Sequence, residues 1–343
     1  MSIPKAVFLD TQVFDSANYN FASTALKSFV QLCQERSLTL LLPAPTLGEI
    51  QRHMLDRAGA AEEAINKALA DVQKKAPFLT GSDRFPRPPK ERTRVHVLRR
   101  HCDEAWDAFT SQIKTQKLKY DGIQLSTIMM WYELSLAPFG KGKKQKEFPD
   151  AIALAILAHY ATKSNQFIAV VSDDVDMQKG CERFQSLFHF PSLSSFLEAW
   201  LSEDASLDLY INLINASLSD LNVVLTSEID DFGVFNHYDR RFTRESSRVH
   251  EVEVGSFDVI GLGNHECTIA YMAYFTAEHL LSWEDDWPDG SPRKEDDWVS
   301  QDYEFGGTAK IRFTADNKSV ESCDNIEVDT HDFEISKHPR RMF

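Results

Sequence analysis

The 343-residue chain reads as an α/β domain over residues 1–204, with a parallel central sheet and a helical insertion, followed by a smaller β-rich (α+β) domain over residues 205–343. Three observations lead there. Short uninterrupted apolar runs such as Ala6-Val7-Phe8-Leu9 and Phe167-Ile168-Ala169-Val170-Val171 have the pattern of strands buried on both faces, with stretches of helical period between them. Beyond residue 205 the texture changes to alternating runs broken by Gly-, Asp- and Trp-rich segments, which is how antiparallel strands and turns read. The length also exceeds what one core usually fills, so two domains are expected.

Taken in order, residues 3–10 form the first strand, and Phe21 to Glu35 an amphipathic helix with Phe21, Ala25, Leu26, Phe29, Val30 and Leu32 on its apolar side. Leu38 to Leu42 is the second strand. Pro43 and Pro45 interrupt it, and Thr46 then fits an N-cap with Glu49 three residues on, a capping-box spacing that would turn the Glu49 carboxylate back onto the helix start. A long helix continues through Lys75. Next comes a basic segment carrying Arg84, Arg87, Lys90, Arg92, Arg94, Arg99 and Arg100, whose Pro86, Pro88 and Pro89 make its first half extended. Trp106 to Leu118 reads as helix. A second basic loop with Lys141, Lys143, Lys144 and Lys146 precedes Asp150, which opens the apolar helix Ala151 to Ala158, with Pro149 in a position proline favours in a first turn. The strand Phe167 to Val171 delivers Ser172-Asp173-Asp174-Val175-Asp176, and a short strand at 187–190 and a helix at 193–201 close the domain. In the second domain Leu207 to Leu225 reads as helix. Strands follow at His250 to Val254, Cys267 to Phe275, Ala309 to Phe313 and Asn325 to Val328, with Trp283 to Pro292 as one of the breaks.

Charge is unevenly divided. Residues 1–204 hold 25 Lys and Arg against 24 Asp and Glu, a balance of +1, whereas residues 205–343 hold 12 against 28, a balance of −16. A polyanion is therefore tolerable on the first domain and disfavoured on the second. The five cysteines, Cys33, Cys102, Cys181, Cys267 and Cys323, are odd in number and scattered, which argues against a disulfide framework and a zinc site. No apolar run is long enough to span a bilayer and no signal core opens the chain, so a cytoplasmic protein without membrane contact is expected. His265-Glu266 has no second histidine at helical spacing, which leaves a zinc-protease reading little support.

Four carboxylates sit where apolar runs stop or start: Asp10, Glu49, Asp150 and Asp174. Each has a bland reading as a cap or turn residue, but ligands gather at the carboxyl ends of strands in such sheets, and the four share that kind of placement. Phosphodiester hydrolysis needs an activated water and relief of charge on the phosphoryl group, which divalent ions supply. Hard oxygen donors select Mg²⁺ or Mn²⁺ over zinc.

The segments Val7-Phe8-Leu9-Asp10-Thr11, Pro45-Thr46-Leu47-Gly48-Glu49-Ile50, Phe148-Pro149-Asp150-Ala151-Ile152 and Val171-Ser172-Asp173-Asp174-Val175-Asp176 resemble those of a PIN domain, a nuclease fold, over residues 3 to about 200. The resemblance implies that Asp10, Glu49, Asp150 and Asp174 are metal-binding catalytic carboxylates, that Asp176 is a further and more variable ligand, and that Thr11 and Ser172 support them. It implies a Mg²⁺- or Mn²⁺-dependent endoribonuclease, of the kind that acts in bacterial toxin or phage-defence systems. The departure from small members is the long insertion between Glu49 and Asp150. Arg84, Arg87, Arg92, Arg94, Arg99, Arg100, Lys143, Lys144 and Lys146 are the candidate RNA contacts. Two other readings stand beside this one, a structure-specific DNA nuclease and a catalytically quiet scaffold acting through its second domain. Residues 205–343 lie outside the resemblance and are candidates for a homo-oligomer contact or a regulatory partner.

Overall fold

The structure of the protein, a computed structural model, describes residues 4–81, 84–86, 93–139, 147–201, 207–239, 241–263, 265–286, 292–315, 318–337 and 339. The chain divides into two compact units, Met1–Phe196 and Leu197–Phe343.

In the first unit, Ala6–Leu9 (β1), Thr11–Ser16 (α1), Thr24–Arg36 (α2), Thr39–Pro43 (β2), Ala44–Lys75 (α3), Val95–Thr110 (α4), Lys114–Leu118 (β3), Leu125–Glu133 (α5), Phe148–Ser164 (α6), Ile168–Val171 (β4), Val175–Cys181 (α7) and Leu187–Phe190 (β5) follow one another, and the boundary falls within Leu193–Leu201 (α8). The five strands form one parallel sheet in the order β3-β2-β1-β4-β5. Every residue of β1, β2 and β4 is buried, as expected of strands covered on both faces. α6 packs Leu154, Leu157 and Ala161 into the cluster that includes Phe8, Leu41 and Val170. Phe14, Phe21, Trp106 and Phe109 form a ring cluster that fixes α1 against α4, with centroids 4.9 to 6.3 Å apart. The strand order has one functional consequence: the chain runs outward through β1, β2 and β3, then returns to lay β4 on the other side of β1. That reversal opens a crevice beyond the carboxyl ends of β1 and β4.

The structure corrects two expectations here. α3 begins at Ala44, with Pro43 before it and Pro45 in its first turn, and no side chain caps it; Thr46 is inside the helix, so there is no capping box. A helix's first turn tolerates the missing N–H of proline, and the N-cap is Pro43, three residues before Thr46. The expected helix Trp106 to Leu118 ends at Thr110, and Lys114–Leu118 is instead the edge strand β3, with only Leu118 buried. An edge strand of this composition, Lys-Thr-Gln-Lys-Leu, has no apolar run to announce it.

In the second unit, Leu207–Ala216 (α9), Leu218–Phe232 (α10), Val234–His237 (β6), Thr243–Val249 (β7), Glu253–Gly263 (β8), Glu266–Asp286 (β9), Pro292–Phe313 (β10), Val320–Val328 (β11) and Asp332–Ile335 (β12) follow. β9 is flanked by β10 on one side and by β8 and β7 on the other, β11 extends the sheet beyond β10, and β6 pairs with β12. A β-rich unit with a helical lead-in is what the sequence predicts. The expected break at Trp283 to Pro292 is wrong in extent, because β9 continues through Asp286 and β10 starts at Pro292. These two strands pair without a register shift from Asp286–Pro292 to Glu266–Arg312. The odd-numbered residues Cys267, Ile269, Tyr271, Ala273, Phe275, Ala277, His279, Leu281 and Trp283 are buried, so one alternation runs through both segments read as separate. The flanking strands β7, β8 and β11 each carry register shifts.

Candidate active site

Asp10 leaves β1 and caps α1. Its backbone N–H donates to the Val171 carbonyl of β4 at 3.0 Å, so the two strands flanking the crevice are joined at the residue itself. One carboxylate oxygen, Oδ1, accepts from the Thr11 N–H at 2.7 Å, and the other, Oδ2, accepts from the Ser172 hydroxyl at 2.6 Å. Ser172 is fully buried, and its Oγ also accepts from the Asp174 N–H at 3.2 Å, so a single hydroxyl ties the acid after β1 to the segment after β4. His189 of β5 braces that segment from behind, its Nε2 donating to the Ser172 carbonyl at 2.7 Å. Asp174 caps α7, accepting from the Asp176 N–H at 2.7 Å. Glu49 reaches in from α3, and the buried Thr11 hydroxyl donates to its Oε2 at 3.1 Å. Asp150 projects from the first turn of α6.

The electrostatics couple these four groups. The carboxyl of Asp10 is raised above its ordinary range, first by burial and then by Glu49 and Asp174, while the bonds from Ser172 and Thr11 act against that rise. Asp150 is pushed up to about 7, first by burial and then by repulsion from Asp10, Glu49, Asp174 and Glu147. Neighbouring like charges and a low-dielectric setting both disfavour ionisation. A cation relieves both penalties, and an all-oxygen donor set suits a hard divalent ion. Among the described residues, no three His, Cys, Asp or Glu are arranged to hold one ion. Ions of the Mg²⁺ class commonly take one or two carboxylates and keep several waters, so the donor set fits an open, hydrated site and not a closed protein cage.

The remaining expected positions fall as follows. Asp176 pairs with Lys179 at 3.7 Å. Asp173 accepts from the Gln12 side chain. Arg84 is exposed in a turn, Arg94 precedes α4, and Arg99 and Arg100 are exposed on α4, with Arg100 paired to Glu104 at 3.7 Å. Arg87, Lys90, Arg92, Lys141, Lys143, Lys144 and Lys146 lie outside the described residues.

Sequence reasoning missed a polar row beside Glu49. His53 Nδ1 lies 2.7 Å from Asp15 Oδ2, and its Nε2 lies 3.8 Å from Glu49 Oε1. Arg57 donates to Asn18 at 2.7 Å and pairs with Asp15 at 3.3 Å, and Arg52 stands 3.6 Å from Glu49. The available signal was the spacing of four from Glu49 to His53 to Arg57, which puts all three on one helical face.

The buried hydroxyl at the centre of this arrangement yields a first test. Ser172→Ala leaves Asp10 Oδ2 and the Asp174 N–H without their shared partner, so unfolding by denaturant should show a loss of about 1–3 kcal/mol. An unchanged unfolding free energy would show that the hydroxyl does not hold the two segments.

A family model described as PIN domain matches residues 7–177, a span that contains Asp10, Glu49, Asp150, Asp174 and Asp176. No curated protein and no solved structure matches the chain.

Proposed function

We propose that this protein, whose N-terminal unit belongs to the PIN-domain family, is a Mg²⁺- or Mn²⁺-dependent endoribonuclease, serving as the effector of a toxin or phage-defence system. PIN domains are in general nucleases that depend on divalent metal. The observation that carries the reading for this chain is the gathering of Asp10, Glu49, Asp150 and Asp174 at the sheet reversal, where burial first and their mutual repulsion second push Asp150 up to about 7.

A divalent ion there supplies charge relief to the phosphoryl group and a more acidic water. The chain's own contribution is placement. Ser172 and the Thr11 amide hold the Asp10 carboxylate by both oxygens, Thr11 holds Glu49, and the β1 to β4 backbone bond fixes the crevice floor. Asp150, with its carboxyl pushed up to about 7 by burial and neighbouring acids, would hold an ion in its ionised form, so binding would be favoured as pH rises.

The deciding experiment incubates purified protein with labelled single-stranded RNA, duplex RNA and DNA in Mn²⁺ or in EDTA. Cleavage of single-stranded RNA in Mn²⁺, absent in EDTA and absent in Asp10→Asn, is the expected result. Preferential cutting of branched or flapped DNA would favour the DNA-nuclease reading, and no cleavage by folded protein would favour the scaffold. For substrate grip, binding by the Asp10→Asn protein should weaken with salt. Neutralising Arg94, Arg99 and Arg100 should reduce the log-log slope by about 0.7 for each lost phosphate contact, and an unchanged slope would make them solvated side chains only. The region 205–343, with its balance of −16, contributes no catalytic group in this proposal and serves regulation or self-association. Its contribution to association is read from the mass of the full chain in solution.

A further inference from the structure

Helix α1 and the turn that follows it meet α3 through three polar rungs, spaced by four residues along α3. Thr11 bonds Glu49 at 3.1 Å, Asp15 bonds His53 at 2.7 Å, and Asn18 bonds Arg57 at 2.7 Å. The middle rung fixes the chemistry of the imidazole. An ionised carboxylate is an acceptor only, so the ring nitrogen facing Asp15, Nδ1, carries a proton and donates it. With Nδ1 as the donor, Nε2 is the ring nitrogen available to bind a metal through its lone pair, and this atom faces Glu49 Oε1 at 3.8 Å. That separation is too long for a hydrogen bond, but it is within the span of two metal bonds of about 2.1 Å each to a common ion.

We propose that His53 Nε2 is a metal ligand alongside Glu49, with Asp15 orienting the ring, and that this nitrogen donor makes the site favour a first-row transition ion over Mg²⁺. The proposal rests on the reading that the acidic crevice binds divalent metal. Three observations support it. A histidine that ligates a metal characteristically donates its other N–H to a carboxylate, and Asp15 is placed to receive it. Charge balance does not require a third cation, because Arg52 already stands beside Glu49 and Arg57 beside Asp15; an imidazole adds the lone pair that a guanidinium lacks. The His53 side chain is 34% exposed, so an ion can reach it. Imidazole suits transition ions, whereas Mg²⁺ is held by oxygen.

The test uses Mn²⁺ as the probe on the full chain and reads pulsed electron paramagnetic resonance for ¹⁴N coupling to the bound ion. Coupling is expected in the wild type and its loss in His53→Gln. The ratio of Mn²⁺ to Mg²⁺ affinity should fall about tenfold or more in His53→Gln, and Mn²⁺ affinity about tenfold in Asp15→Ala. The wild-type spectrum alone is decisive if a variant fails to fold. Mn²⁺ that binds the wild type, is lost in Asp10→Asn and shows no ¹⁴N coupling would overturn the role of His53 and leave the carboxylate site standing. Absence of Mn²⁺ binding by the folded wild type would remove both.

Discussion

Asp150→Asn should melt higher than the wild type in the absence of metal, and its cleavage activity should be severely reduced. The wild-type carboxyl is raised from 3.8 to about 7 by burial and by four neighbouring acids. A folded-state pKa above the unfolded one contributes stability that is fully present below about pH 4 and is lost as pH rises through about 7. Asparagine keeps the shape and removes the charge, so at pH 8 the variant escapes that loss. The full shift would correspond to about 4 kcal/mol, and because Asp150 is only partly buried a gain of about 2 kcal/mol is the better expectation. That corresponds to a rise of several degrees for a unit of this size, roughly 2–4 °C per kcal/mol. The advantage should shrink as the pH approaches 4. With saturating Mn²⁺ the order reverses, since ligand binding stabilises only a protein that keeps the site, and cleavage should fall by about a hundredfold or more. Metal-free melting curves of the two proteins at pH 5 and pH 8 decide the matter; a variant that melts lower at both would refute the repulsion on which the site is built.

The second large effect lies in the other unit. His279 is fully buried on β9, with Nδ1 2.7 Å from the Ser247 hydroxyl and Nε2 2.8 Å from the Tyr303 hydroxyl, and with the Phe235 ring 4.9 Å away. Burial, helped by Arg244, lowers it from 6.5 to about 4. The unfolded chain therefore takes up a proton near pH 6.5 that the folded chain refuses until about pH 4. Stability from this group is present above 6.5 and is lost progressively down to 4, by about 3 kcal/mol in all. Denaturant unfolding of the full chain at pH 7 and pH 4.5 should show the loss, and His279→Gln should flatten that part of the pH dependence. An identical pH dependence in the two proteins would mean that the ring is not held neutral.

The positions of the four acids were legible because each ends or begins a buried run, and buried runs are the strongest pattern a chain of this class carries. Strand order was not legible: nothing in Leu9-Asp10 or Val171-Ser172 states that β1 and β4 are neighbours, yet that adjacency brings Ser172 to Asp10. Glu49 was readable as an acid on a helix, but a local rule, the capping box, competed for its carboxylate until the helix start was seen at Ala44. Asp15 and His53 escaped notice because their meaning depends on how α1 packs on α3, which is a tertiary fact. In the second unit the alternation was visible in pieces, and a run containing Trp283, four acids and Pro292 looked like a boundary because Asp and Pro usually mark one. There the long pairing between β9 and β10 overrode local preference.

The unbroken register of β9 and β10 also bears on how this unit tolerates changes in chain length. Because, among the described residues and apart from Ser282 and Thr308, the two strands bury residues of one parity from Cys267 through Phe313, deleting or inserting a single residue in either would send the apolar core side chains on one side of the change to solvent and their charged neighbours inward. Two residues added together preserve the phase. The outer strands β7, β8 and β11 already contain irregular steps against their partners, and a bulge is how a sheet absorbs an extra residue. Length variation among homologous sequences of this unit is therefore expected to collect in the outer strands, and where it enters the central pair, to come in steps of two.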